Sequence, residues 1–236
     1  MPTANINGQY IHYETVGVKD HKLRTPALML HGNCESMKIW AKVVPQLSGT
    51  RGFVLMDSRY QGESRPADPG EHIKLGYKVM ADDAIKLMEQ ELGIPEYDVI
   101  GFSDGAITAL YMALGSIRVR RLILIGVNRD PSGLKPRAIR QIRREYDSAA
   151  REKNRVDAAL KRLMLEEPKL TLYDLSKIIC ETTVVIGQKD EAVKPRHSAS
   201  VADAIPRGSY VVIRGAGHDV PQTRPEELSE LIRSLL

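Results

Sequence analysis

Cysteine is scarce in this chain: Cys34 and Cys180 are the only two among 236 residues. Two cysteines cannot build the disulfide framework of a small secreted domain, so the composition points to a reducing cytoplasm. No apolar run reaches about 18 residues, which leaves no candidate membrane-spanning helix. Residues 1–13 lack a basic segment followed by an apolar one, so no secretory signal is expected. His-Glu-x-x-His, paired Cys-x-x-Cys, Gly-x-Gly-x-x-Gly and Walker-type loops are also missing, and no metal or cofactor is implied. Internal repeats and low-complexity tracts are absent. A formal net charge of +4 is too small to argue for nucleic acid or an anionic membrane. The expected partner is a small molecule, and homo-oligomerisation is left open.

What is present is an ordinary globular composition, 42% hydrophobic and 27% charged, at a length that suits one domain with a large core. Residues 4–16 alternate around Asn7-Gly8, a strong signal for two antiparallel strands joined by a tight turn. Strands and helices then alternate. Strands are expected at 27–30, 53–56, 97–102, 122–127, 183–186 and 210–213, and helices at 39–47, 77–92, after Ser103, and from Pro225 to the end. Short, continuously apolar strands between helices imply a mostly parallel sheet covered on both faces, eight strands in all. Residues 131–175 break the rhythm. They are helical in propensity and rich in Arg137, Arg140, Arg143, Arg144, Arg151, Lys153, Arg155, Lys161 and Arg162. Lying between two sheet strands, they are expected to form two or three helices over the carboxyl edge of the sheet.

Gly101-Phe102-Ser103-Asp104-Gly105 sits between an apolar strand and a helix, the setting of a nucleophile elbow. The bare pattern arises by chance in roughly one chain in ten of this length, so Ser103 needs partners elsewhere. A serine hydroxyl requires a base, a carboxylate to orient that base, and donors for an oxyanion. Among the six histidines His218 fits best, because the glycines of Gly215-Ala216-Gly217 let its loop reach over a serine. His12, His21, His72 and His197 read as surface or structural residues. Asp190, in Gly187-Gln188-Lys189-Asp190-Glu191 after a strand, is the expected orienting acid. Glu191 is the fallback, and Asp219 would point away from the imidazole beside it. Oxyanion donors are expected from the backbone N–H groups of Asp104 and Asn33, the latter in His31-Gly32-Asn33-Cys34. His31 is expected to hydrogen-bond that loop. Cys34 adjoins the pocket as a small hydrophobe and a candidate substrate-binding residue rather than as a nucleophile. The Asp104 carboxylate is a candidate for binding a cationic substrate group. Aimed at the oxyanion it would oppose the reaction, so it is expected to turn away, toward an arginine of residues 131–175.

Together, His31-Gly32-Asn33, the loop Asp57-Ser58-Arg59-Tyr60-Gln61-Gly62-Glu63-Ser64, the Ser103 elbow, Asp190 and His218 resemble the α/β-hydrolase superfamily over essentially the whole chain. The order Ser, Asp, His is the one expected for such a sheet. Within it the chain looks most like small serine hydrolases and valacyclovir-hydrolase-like members with a Ser-Asp-Gly elbow. Tyr60 and Gln61 depart from the usual Asp-x-Arg-Gly-x-Gly-x-Ser pattern, and Ala106 stands where many members have glycine. The resemblance implies a core of residues 1–130 and 176–236, with residues 131–175 as a cap inserted after the sixth strand. It also implies hydrolysis of small carboxylic esters through an acyl-Ser103. Serine at the elbow argues against the aspartate-dependent epoxide hydrolases and dehalogenases. Carbon–carbon cleavage of ring-fission diketones and ligand binding without turnover are the competing readings.

Overall fold

The computed structural model describes residues 2–18 and 24–236; His21 lies outside the described residues. The chain opens as anticipated, with β1 (Thr3–Ile6) turning at Asn7 (φ 51°) and Gly8 (φ 74°) into β2 (Gln9–Val16). β3 (Ala27–Leu30) follows, then a 3₁₀ turn at Met37–Trp40, α1 (Val44–Leu47) and β4 (Phe53–Met56). The single helix expected over 39–47 is broken because Pro45 lacks the N–H that would bond one turn back. β5 (Arg65–Pro66) is a two-residue strand, and α2 (Tyr77–Lys86) ends in a widened π turn at Leu87–Glu91. Next come β6 (Tyr97–Phe102), α3 (Asp104–Gly115) and β7 (Val119–Ile125).

Between β7 and β8 (Glu181–Gly187) lie α4 (Pro136–Arg151), α5 (Arg155–Glu166) and α6 (Leu172–Leu175). α7 (Pro195–Ala204), β9 (Gly208–Ile213), α8 (Val220–Thr223) and α9 (Pro225–Leu235) complete the chain.

The strands form one sheet in the order β1-β2-β4-β3-β6-β7-β8-β9, with β5 paired to β2. The two-residue β5 makes nine strands where the sequence suggests eight. β2 is antiparallel to β1, β4 and β5, and every pair from β4 to β9 is parallel. Side chains alternate across each strand, which is why the parallel strands read as unbroken apolar runs. Leu28, Leu30, Val99, Leu122 and Val184 face a core shared with α2, α3 and α7. Met29, Ile100, Ile123 and Val185 face the opposite core, built with Trp40, Leu47, Leu228 and Ile232. No helix among the described residues is long and apolar enough to cross a membrane.

This topology decides where chemistry can happen. The chain leaves β4 on one side of β3 and returns at β6 on the other, so loops at the carboxyl ends of β3 and β6 diverge and leave a crevice. Leu30 is in register with Gly101, which sets the His31 loop directly beside Ser103. α4 and α5 close the crevice from above: Arg137 and Ile142 of α4 and Lys161 and Met164 of α5 line the same cavity as Ser103.

Candidate active site

Ser103 has φ 52° and ψ −115°, a backbone conformation that L residues rarely occupy. Crowding imposes it. A Cβ on Gly101 would lie 2.4 Å from the carbonyl oxygen of Gly105, and one on Gly105 would lie 2.4 Å from that of Leu30. Only glycine permits α3 to start this close to β3 and β6. The turn presents the serine hydroxyl at the N-terminus of α3, where free N–H groups and the helix dipole favour negative charge.

His218 reaches the serine from the far side of two strands. Its loop leaves β9, and the imidazole crosses the ends of β8 and β7 to stand over β6. Gly126, just past β7, makes this possible: a Cβ there would lie 2.7 Å from His218 Cε1 and 2.9 Å from Nδ1. The sequence reading overlooked Gly126, although a glycine directly after a core strand was a visible signal. His218 Nε2 is 3.1 Å from Ser103 Oγ, and Nδ1 is 2.8 Å from Asp190 Oδ2. The other Asp190 oxygen accepts the N–H groups of Ala192 at 2.8 Å and Val193 at 2.7 Å, so its own loop holds the carboxylate in position. Phe102 packs against the imidazole at 5.2 Å between ring centroids. Burial alone would lower the His218 pKa. The hydrogen bond and charge of Asp190, with the charges of Glu191 and Glu35, outweigh it and raise the imidazole above its ordinary value.

The alternatives fall into structural roles. Glu191 accepts the backbone N–H of His218 at 3.0 Å, and Asp219 caps α8 through Gln222 N–H. His31 spans two loop segments, with Nδ1 at 2.7 Å from Gly32 O and Nε2 accepting Ser58 N–H at 2.9 Å. His197 Nε2 accepts Arg129 N–H, and His12 is buried 3.9 Å from Glu63. The Asp57 loop folds around its own carboxylate, which accepts N–H groups from Met37 and Glu63. Tyr60 takes φ 61°, the left-handed conformation that glycine at this place would adopt without cost, so the departure changes strain and not the path of the loop. Arg59 beside it makes a buried two-bond pair with Asp83, at 2.6 and 2.7 Å.

Two expectations need correction. Cys34 lines none of the cavities beside Ser103. It is exposed, in a left-handed turn at φ 55°, with its N–H on Gln61 and its thiol donating to Asn33 Oδ1 at 3.0 Å. The Asp104 carboxylate does turn aside, but toward Asn33 Nδ2 at 2.9 Å rather than toward a cap arginine. The cap arginines at 137, 140, 143, 144, 151, 155 and 162 are exposed, and solvation outcompetes a buried partner for them. Burial pushes the Asp104 carboxyl up, against the hydrogen bonds of Asn33 and Tyr77 and the charge of Lys161. Neither Asn33 nor Asp104 gives its backbone N–H to another group among the described residues.

The cavity over Ser103 measures about 430 Å³. Lys161 is tied to Glu145 at 2.8 Å, and Arg137 stands exposed at the mouth. Glu35, which the sequence reading passed over, accepts Gly32 N–H at 3.0 Å and faces this cavity. Burial pushes its carboxyl up to about 7, against the pull of the Gly32 bond.

A family model described as alpha/beta hydrolase fold matches residues 25–163. The chain belongs to this family. The matched span carries the Ser103 elbow and the His31 loop; Asp190 and His218 lie beyond it. The α/β hydrolase is 28% identical over 254 residues to the Mus musculus serine hydrolase BPHL, covering 98% of this chain and 84% of that one. A fluoroacetate dehalogenase from Burkholderia is 34% identical over 88 residues, only 37% of this chain and 29% of that one. Among solved structures, a thermophilic esterase from Thermogutta terrifontis superposes with a TM-score of 0.76 at 24% identity, covering 99% of this chain and 95% of the other. Est816, described as an N-acyl homoserine lactone degrading enzyme, gives 0.79 at 21% identity over the whole of both chains. These likenesses establish the shared fold.

Proposed function

We propose that this α/β hydrolase cleaves small carboxylic esters through a covalent acyl-Ser103 intermediate. The supporting observation is the hydrogen-bonded line Ser103 Oγ, His218 Nε2, His218 Nδ1, Asp190 Oδ2, with contacts of 3.1 and 2.8 Å. The name of the BPHL relative, a serine hydrolase, agrees with it.

In this reading His218 takes the Ser103 proton as Oγ attacks the ester carbonyl carbon. Asp190 holds the neutral imidazole with its proton on Nδ1 and then stabilises the imidazolium. Negative charge gathers on the former carbonyl oxygen, where the backbone N–H groups of Asp104 and Asn33 are the proposed donors. His218 passes its proton to the departing alcohol. Water, deprotonated by the same nitrogen, attacks the acyl group and returns Ser103. Because Asp104 is engaged by the Asn33 amide, its carboxylate is held off the oxyanion. With Cys34 and Cys180 both free, the reading assigns the enzyme to a reducing cytoplasm.

The experiment is covalent trapping with hydrolysis in parallel. A fluorophosphonate is expected to add one adduct, located by peptide mass on Ser103 and lost in Ser103→Ala together with p-nitrophenyl acetate hydrolysis. An adduct on another residue, or undiminished hydrolysis by Ser103→Ala, overturns the assignment.

A further inference from the structure

Two cavities meet at Ser103 and His218, and they differ greatly in size. The outer one, about 430 Å³, is walled on its own side by Gly32, Glu35, Phe102 and Asp219. The inner one, about 30 Å³, is walled on its own side by Tyr77, Asp104, Asn128, Leu134 and Glu167. Ile142 and Met164 of the cap helices border both. An ester held at Ser103 must divide its two halves between them.

The chemistry decides which half goes where. The departing alcohol receives its proton from His218 and must leave. Water must then reach the same carbon along the vacated path, within reach of the same nitrogen. The leaving-group side is therefore the roomy one, and the acyl group is left for the inner cavity.

That cavity is short and polar at its end. Space of this kind admits one water-sized group per roughly 10–15 Å³, so about two to three non-hydrogen atoms fit beyond the carbonyl. Its wall carries the buried Tyr77 hydroxyl, which sits against the Asp104 carboxylate, and the carboxylate of Glu167. Pressing further methylenes against these groups would strip their solvation without replacing it. Glu167 is the outermost of them. It also lines a separate surface groove of about 500 Å³, together with Leu75, Ala159 and Leu163. Its side chain is held lightly: among the described residues it accepts one long hydrogen bond, from Tyr77 N–H at 3.4 Å.

We propose that the inner cavity is the acyl site and that Glu167 is its end wall, restricting the enzyme to acyl groups of at most three or four carbons. The inference rests on the ester-hydrolase reading above and names its substrate class. With the Glu167 side chain removed, the acyl site opens into the groove, where a longer chain finds room beside Leu75 and Ala159.

The test is kcat/KM for p-nitrophenyl acetate, propionate, butyrate, hexanoate and octanoate, a series with one leaving group, in wild type, Glu167→Ala, Glu167→Gln and Ser103→Ala. Wild type is expected to lose at least about 100-fold between acetate and hexanoate, since one misfitting methylene is worth tenfold or more. Glu167→Ala is expected to raise the hexanoate-to-acetate ratio at least about tenfold, and Glu167→Gln, of equal size, to keep the wild-type ratio. Wild-type rates level or rising toward octanoate would overturn the short acyl site while leaving the ester reading intact. An unchanged ratio in Glu167→Ala would overturn the role of Glu167. Absence of Ser103-dependent cleavage with every ester would sink the ester reading and this inference with it.

Discussion

Asp190→Asn isolates what the carboxylate does for His218 without removing volume. In the native loop Oδ1 already accepts two N–H groups, from Ala192 and Val193, and Oδ2 faces His218 Nδ1 at 2.8 Å. An asparagine must keep its oxygen on the two N–H donors, because its NH₂ group there would meet donors with a donor. The amide nitrogen is then forced opposite His218 Nδ1, which can accept from it only when unprotonated. The imidazole proton moves to Nε2, which becomes a donor toward Ser103 Oγ at 3.1 Å instead of an acceptor. Base catalysis is lost while the packing stays. The expected fall in kcat for p-nitrophenyl acetate is about 10⁴-fold, the size of a tautomer reversal in a serine triad, or about 5.4 kcal/mol of transition-state stabilisation. The thermal midpoint should shift little, because no buried group loses a partner. A fall of less than about tenfold with the fold intact would refute the reasoning. So would a large loss of thermal stability accounting for the inactivity.

Gly126→Ala places a methyl group within 2.9 Å of His218 Nδ1 at φ 64°, so it should cut kcat at least about tenfold and cost about 1–2 kcal/mol of stability; normal kinetics would show that the imidazole has another seat. Arg59→Ala strips the buried Asp83 of its cation and should cost about 3–5 kcal/mol at neutral pH. Burial already raises the Asp83 pKa above the unfolded value, and removing Arg59 raises it further. The loss should therefore grow as pH rises from 4 to 7 in urea titrations, and a loss equal at both would refute it. If His218 is the proposed base, only its neutral form accepts the Ser103 proton, and the acid limb of kcat/KM should have its midpoint above the ordinary histidine value of 6.5. Glu35→Gln removes a carboxylate, pushed up to about 7 and so partly charged on this limb, that favours the imidazolium, and should move the limb to lower pH; a shift to higher pH would contradict the assigned electrostatics.

Much of this protein was legible along the chain because its signals are local. The apolar runs at 27–30 and 53–56 coincide with the observed strands, since a parallel strand buried on both faces has no polar alternation to blur its ends. The glycines around Ser103 and the Gly-x-x-Asp and Gly-His segments marked strand ends, where backbone must bend sharply or approach closely. Local pattern alone was less able to set element boundaries. Pro45 split a helix, and β7 stops at Ile125 because Gly126 turns away.

Other features depend on which distant segments meet. Glu35, Gly126 and Glu167 carry no motif; their importance comes from facing the Ser103 cavity, lying under His218 and walling a space behind the serine. Cys34 adjoins the Asn33 loop in sequence, yet a left-handed turn carries it outside the cavity. The sequence by itself determined the strand-and-helix alternation, the strained elbow and the order of serine, acid and histidine, all consequences of residue type and spacing. Only the tertiary structure decided that His218 spans β8 and β7 to come within 3.1 Å of Ser103. It alone decided that Asp104 pairs with Asn33 and that the space beyond the serine is small, because those distances are set by how separate loops pack together.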